Sequence, residues 1–204
     1  MKTLDLSLYL VLDAAICGDK LLATAEEALA NGVTILQLRG HKTAWGKRDW
    51  YEAALALKPL CAQAGVPFII NDQVDIALAV DADGVHVGQG DLPVAVVRRL
   101  IGEDKILGLS THSVAQVQAV DTAIVDYIGM GPVFATQSKK DPDPVIGLDG
   151  LRAMVAAKTL PGVAIGGIKA EHVATIRAIN PDGLAVISAI CGQEDVSSAT
   201  KALK

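Results

Sequence analysis

The chain has 204 residues, 51% of them hydrophobic and only 3% aromatic, and a formal net charge of −5. That length suits one large domain able to bury roughly 70% of its unfolded surface, with a core of Ala, Val, Ile and Leu suited to helices packed on a parallel sheet. The acidic balance gives no footprint for nucleic acid, no apolar stretch is long enough for a membrane-spanning helix, and Cys17, Cys61 and Cys191 are scattered without metal-ligand spacing, as reduced thiols of a cytoplasmic protein would be.

Short apolar runs alternate with longer amphipathic segments. In chain order the pattern predicts strand 8–12, helix 20–30, strand 34–38, helix 47–64, strand 67–70, helix 74–80, strand 84–87 and helix 93–101. It continues with strand 106–109, helix 113–122, strand 127–129, helix 148–158, strand 162–165, helix 170–179, strand 183–187 and a last helix 194–203. Asn31-Gly32 and Ala64-Gly65 supply helix stops, Ser113 precedes a helical run, and Pro93 suits a first helical position. No two-residue hairpin signal joins the strands, so the sheet should be parallel. Eight β-α units over residues 1–204 predict a single α/β domain, a (β/α)8 TIM barrel. The rival, a doubly wound open sheet, requires a glycine fingerprint after the first strand, and residues 13–18 (DAAICG) do not match it.

A barrel places functional groups after the C-terminal ends of its strands. The residues there are Gln37, Arg39 and Lys42 after strand 2, Asn71 and Asp72 after strand 3, and His86, Gln89 and Asp91 along strand 4 and its loop. Ser110, Thr111 and His112 follow strand 5, a polar stretch with Thr136, Gln137, Ser138 and Lys139 follows strand 6, and Gly166-Gly167 and Ser188 close strands 7 and 8. Asp72 and Asp91 on adjacent loops suit magnesium, which takes one or two carboxylates and completes its shell with water and phosphate oxygens, although Asn71-Asp72 can equally be an ordinary turn. Backbone N–H groups at Gly166-Gly167 and Ser188, aided by helix N-termini, suit a phosphate. Arg39 and Lys42 suit a second, more highly charged phosphate group, although Arg39 can equally brace a loop carboxylate and Lys42 can be a solvated lysine. The long loop 136–147 suits a lid carrying Lys139, although Lys139-Lys140 with Asp141 and Asp143 can equally be an ordinary exposed charge cluster. His86 reads either as a buried barrel histidine or as a pocket residue. Asp13, Asp75 and Asp83 read as cap or turn residues, and Trp45 and Trp50 as packing.

These residues resemble the thiamine phosphate synthase family. The matching strings are LQLR (36–39), FIIND (68–72), VDIAL (74–78), DGVHVGQGDL (83–92), ILGLSTH (106–112), DYIGMGPVF (126–134), TQSK (136–139), AIGGI (164–168) and DGLAVISAI (182–190). They occur in order, at family-like spacing, along essentially the whole chain. The resemblance implies an enzyme joining 4-amino-5-hydroxymethyl-2-methylpyrimidine diphosphate to a thiazole phosphate. That partner is 4-methyl-5-(2-phosphoethyl)thiazole or its carboxylated form, and the reaction releases pyrophosphate and gives thiamine monophosphate. It implies Mg2+ on Asp72 and Asp91. Gln37, Arg39, Lys42, Asn71, Ser110 and Lys139 would contact the pyrimidine diphosphate, with Arg39, Lys139 and Ser110 acting in catalysis and His86 near the pyrimidine. Thr136, Gln137, Ser138, Gly167, Ile187 and Ser188 would form the thiazole phosphate pocket.

One departure is visible. The family reads Gln-x-Arg-x-Lys, whereas here Lys42 stands one residue further on, after His41. Either Lys42 reaches the diphosphate across a one-residue insertion, or that contact is lost or replaced by His41. The residues admit two other readings: a thiazole tautomerase of the same fold, with His112 as proton shuttle, and a non-catalytic phosphate-binding barrel. The tautomerase pattern lacks the second carboxylate and usually the strand-2 glutamine, and Gln37 and Asp91 are both present. The expected partners are small-molecule substrates, with no nucleic acid or membrane; the oligomeric state is open, a homo-oligomer included.

Overall fold

The computed structural model describes residues 4–40, 44–136, 138 and 143–204. Eight parallel strands close into a barrel in sequence order: β1 (Leu8–Asp13), β2 (Ile35–Arg39), β3 (Phe68–Asn71), β4 (Gly84–Val87), β5 (Ile106–Thr111), β6 (Tyr127–Met130), β7 (Gly162–Ile165) and β8 (Gly183–Val186). Closure is direct, because β1 pairs with both β2 and β8. The helices among the described residues are α1 (Ala14–Cys17), α2 (Leu21–Ala30), α3 (Lys47–Ala64), α4 (Val74–Ala79), α5 (Val94–Ile101), α6 (Val114–Gln118), α7 (Gly147–Ala157), α8 (Val173–Arg177) and α9 (Val196–Lys201).

The predicted strands match to within two residues, but several helix ends differ for local reasons. α1 was not anticipated; Asp13 caps it, its Oδ1 accepting from the N–H groups of Ala15 and Ile16 at 3.0 and 3.2 Å. Pro93 is the cap before α5 rather than its first residue. α6 stops at Gln118, and Asp121 just beyond accepts from the Ala123 N–H at 2.9 Å, the local bonding that makes Asp a turn former. The segment predicted as helix 170–179 is a 3-10 turn, Ala170–His172, followed by α8. Asp195 accepts from the Ser198 N–H at 2.8 Å and delays α9 to Val196.

Strand side chains alternate between two apolar layers, as a period of two requires. Leu8, Leu10, Leu36, Phe68, Val85, Val87, Ile128 and Leu184 pack outward under the helices. Tyr9, Val11, Ile35, Ile69, Tyr127, Val163 and Ala185 fill the barrel. Gly108 is required inside: a Cβ there would lie 2.2 Å from Cζ of Tyr127 and 2.4 Å from Nδ1 of His86.

The N-terminal rim carries a fourfold pattern. Thr34, Asp83, Asp126 and Asp182 each stand immediately before an even-numbered strand. Their side chains accept from the N–H groups of Leu8, Phe68, Leu107 and Gly162 on the preceding odd strand, at 3.1, 2.8, 2.7 and 2.7 Å. The backbone answers in reverse, each of the four donating its own N–H to the carbonyl of the same partner. Strand starts that would leave orphan N–H groups are thereby satisfied in pairs. Buried Arg98 reinforces one corner through Asp126, at 2.7 Å.

Candidate active site

A pocket opens at the C-terminal mouth of the barrel. It gathers Gln37, Arg39, Asn71, Asp72, His86, Asp91, Ser110, Thr136, Ser138, Gly167, Ile187 and Ser188. Lys42 and its alternative His41, together with Gln137 and Lys139, lie outside the described residues.

Two carboxylates stand beyond adjacent strands, Asp72 directly after β3 and Asp91 in the loop after β4. Asp72 adopts φ of 59°, a left-handed conformation that short polar side chains tolerate, and its N–H continues the ladder to the His86 carbonyl at 2.9 Å. Asp91 closes a tight turn, its Oδ2 accepting from the Gly88 N–H at 2.7 Å. The donor set suits a hard divalent cation: two carboxylates, the Asn71 amide beside them, and no thiolate lining the pocket. His86 offers no ready ring nitrogen, because Nδ1 lies 2.9 Å from Tyr127 Oη and Nε2 lies 2.9 Å from Ser110 Oγ. Burial pushes the His86 imidazole down to about 4 against the weaker opposing pull of Asp91, so it is neutral near pH 7. The histidine that the sequence left between core and pocket is therefore both, a hydrogen-bonded group on the pocket floor.

Arg39 ends β2 and bridges two loops. Its Nη1 donates to Asp13 Oδ2 at 2.5 Å and to the Ser138 carbonyl at 2.8 Å. The bracing role left open from sequence is thus filled by Asp13, whose other oxygen caps α1. Ser138 is tied back by its own N–H to Thr136 Oγ1 at 3.2 Å.

Gly166 and Gly167 take φ of 101° and 63°, and a Cβ on Gly167 would lie 2.5 Å from the Ala135 carbonyl oxygen. This close turn holds the loop after β6, the Phe134 N–H donating to the Gly166 carbonyl at 3.0 Å. Ser188 lies in a hydrogen-bonded turn in which the N–H groups of Ile190 and Cys191 both donate to the Ile187 carbonyl. No long helix begins at either point: a 3-10 turn starts at Ala170 and α9 only at Val196. Any anion grip here comes from backbone turns, not from the helix N-termini expected from sequence.

The pocket also includes residues that the sequence reading did not single out. Tyr9 and Tyr127 form its buried floor, with phenols raised above their ordinary range by burial. Their signal was the inward parity of Tyr9 with Val11 and of Tyr127 with Gly129, readable only once strand faces are assigned. Asp143 also lines it, lying 3.4 Å from Nε2 of His112, whose Nδ1 donates to the Gly131 carbonyl at 2.7 Å. Trp45 and Trp50 pack edge to face, with centroids 5.9 Å apart and Trp50 buried, and neither lines the pocket.

The family model described as thiamine monophosphate synthase matches residues 8–190. A thiamine-phosphate synthase of Laribacter hongkongensis is 51% identical over 204 residues, spanning 99% of this chain and 95% of that protein. One from Desulfitobacterium hafniense is 50% identical over 200 residues, spanning 98% and 96%. The solved structure of a thiamine phosphate pyrophosphorylase from Pyrococcus furiosus superposes with a TM-score of 0.87 at 38% identity, spanning 98% of this chain and 94% of that one.

Proposed function

The chain belongs to the thiamine monophosphate synthase family and joins a pyrimidine to a thiazole moiety to give thiamine monophosphate; we propose that both phosphorylated halves meet in the barrel-mouth pocket, with magnesium at Asp72 and Asp91. The observation that carries this reading is the convergence on one pocket of two adjacent carboxylates, Arg39, and the Gly167 and Ser188 turns. The substrates are the pyrimidine diphosphate and the thiazole phosphate, and pyrophosphate leaves.

The bond broken joins a pyrimidine methylene to a diphosphate oxygen. An electron-rich aminopyrimidine stabilises the cation left behind, so departure can precede attack by the thiazole nitrogen. The protein then has two tasks, to stabilise the departing anion and to hold the nucleophile in line. Arg39 serves the first, kept in place by Asp13. Lys139 and Lys42 join it on the strength of the family resemblance. The backbone turns at Gly167 and Ser188 serve the second by fixing the thiazole phosphate, with Thr136, Ser138 and Ile187 around it and Gln137 added by the family resemblance alone. Ser110 and Gln37 orient the pyrimidine above His86. Magnesium, when bound, supplies Lewis-acid neutralisation of the diphosphate charge. No enzymic nucleophile is needed. The setting is cytoplasmic, consistent with three buried free cysteines and with no helix among the described residues long and apolar enough to cross a membrane.

Binding of Mn2+, a spin-active stand-in for magnesium, tests the metal assignment. Electron paramagnetic resonance titration in the presence of pyrophosphate should show a site in the wild type that is lost in Asp72→Asn and Asp91→Asn. Undiminished binding in both variants would remove these residues from the metal site.

A further inference from the structure

The polar groups inside the barrel form one continuous row. Gln37 Nε2 donates to Tyr9 Oη at 2.7 Å, and Tyr9 Oη lies 2.7 Å from Tyr127 Oη. Tyr127 Oη lies 2.9 Å from His86 Nδ1, and His86 Nε2 lies 2.9 Å from Ser110 Oγ. Five strands thus each contribute one side chain. The two tyrosines are 1% and 0% exposed, walled by Ile35, Ile69, Val163 and Ala185. In so dry a setting each hydroxyl proton must find a partner within the row.

That condition gives the row a direction. An amide N–H can only donate, so the Tyr9 oxygen accepts from Gln37 and its own proton goes to Tyr127. Tyr127, accepting from Tyr9, passes its proton to Nδ1 of His86. A ring whose Nδ1 accepts carries its hydrogen on Nε2, which donates to Ser110. The Ser110 hydroxyl, having accepted, keeps its proton for a pocket ligand, while Gln37, its amide nitrogen turned toward the tyrosines, presents its carbonyl oxygen as an acceptor.

We propose that Tyr9 and Tyr127 are positioning residues that fix the His86 tautomer and thereby select an aminopyrimidine, whose ring nitrogen can accept from Ser110 and whose amino group can donate to Gln37. The selection rests on the reading that the pyrimidine occupies this pocket; the tautomer does not. A ring with a carbonyl oxygen in place of the amino group brings an acceptor to the Gln37 acceptor, a mismatch that buried polar sites reject strongly. Reversing the row requires Gln37 to turn its carbonyl toward Tyr9, and it predicts the opposite tautomer.

Long-range 1H–15N correlation spectra of the ligand-free protein near pH 7, with the His86 signals assigned by their absence in His86→Gln, read the tautomer directly. The expected result is Nε2–H in the wild type and loss of that preference in Tyr127→Phe. An Nδ1–H ring in the wild type, or an unchanged ring in Tyr127→Phe, overturns the tautomer assignment. Steady-state kinetics then test selection. In Tyr127→Phe and Tyr9→Phe the preference in kcat/KM for the amino over the oxo pyrimidine diphosphate should fall at least tenfold, with KM for the thiazole phosphate unchanged. An undiminished preference in both variants overturns the selective role. Absence of any joining activity in the wild type would instead count against the pocket's function and leave the spectra standing.

Discussion

Arg39 and Asp13 meet at the rim of the barrel with Nη1 and Oδ2 2.5 Å apart, a pair whose side chains are 15% and 6% exposed. It links the ends of neighbouring strands β1 and β2, and the same guanidinium nitrogen holds the Ser138 carbonyl on the far loop. A cation fixed on two sides needs little reorganisation when an anion arrives, the condition under which electrostatic stabilisation is effective. Asp13→Ala removes both this partner and the cap of α1. It should lower stability by roughly 3 kcal/mol, because Arg39 is left largely buried without its counterion, and it should raise KM for the pyrimidine diphosphate more than for the thiazole phosphate. Urea denaturation and steady-state kinetics measure the two effects.

Asp91 is exposed and its side chain accepts from the Gly88 N–H within its own loop. Asp91→Ala should therefore leave the thermal midpoint within a few degrees of wild type while lowering kcat by at least about 100-fold, the scale of losing a major electrostatic contact in the transition state. Near-normal turnover would exclude a metal role.

His86 makes acid sensitivity predictable. In the unfolded chain it takes up a proton as the pH falls through its ordinary 6.5, whereas burial in the barrel delays protonation to about 4. The unfolded state binds more protons between these values, so stability is complete above about 6.5 and declines as the pH drops toward 4, by on the order of 3 kcal/mol. Urea denaturation at pH 7 and pH 4.5 should show a larger loss for wild type than for His86→Gln. Equal losses would mean that His86 is not held neutral.

The opposite rim should behave in the opposite way. Asp83→Ala leaves the Phe68 N–H at the foot of β3 without its side-chain acceptor, costing about 2 kcal/mol. It lies at the end of the barrel away from the pocket, so kcat and both KM values should be unchanged. Chemical denaturation with parallel assays separates this structural ring from the catalytic mouth.

The barrel was legible because its evidence is local: apolar runs of four to six residues separated by helical spacing identify strands without knowledge of their partners. The rim was legible for the same reason, since a strand end is also a position in the sequence. What was hidden depends on pairing. Tyr9 and Tyr127 are 118 residues apart and meet only when the sheet closes, and the Arg39 partner became evident only when β1 and β2 were aligned, with Asp13 opposite Arg39. The fourfold rim had a faint signal in the Asp residues before Gly84, Tyr127 and Gly183, but its meaning lies in the partner strand. Helix ends were misjudged where Asp121 and Asp195 bond their own neighbourhood, a preference that periodicity ignores.

The most direct measurement is pyrophosphate release by the purified protein supplied with the pyrimidine diphosphate and the thiazole phosphate, with and without magnesium. The account predicts release that requires both halves and the metal, with thiamine monophosphate formed in equal amount. Release without the thiazole phosphate, or none with both halves and magnesium present, would contradict it.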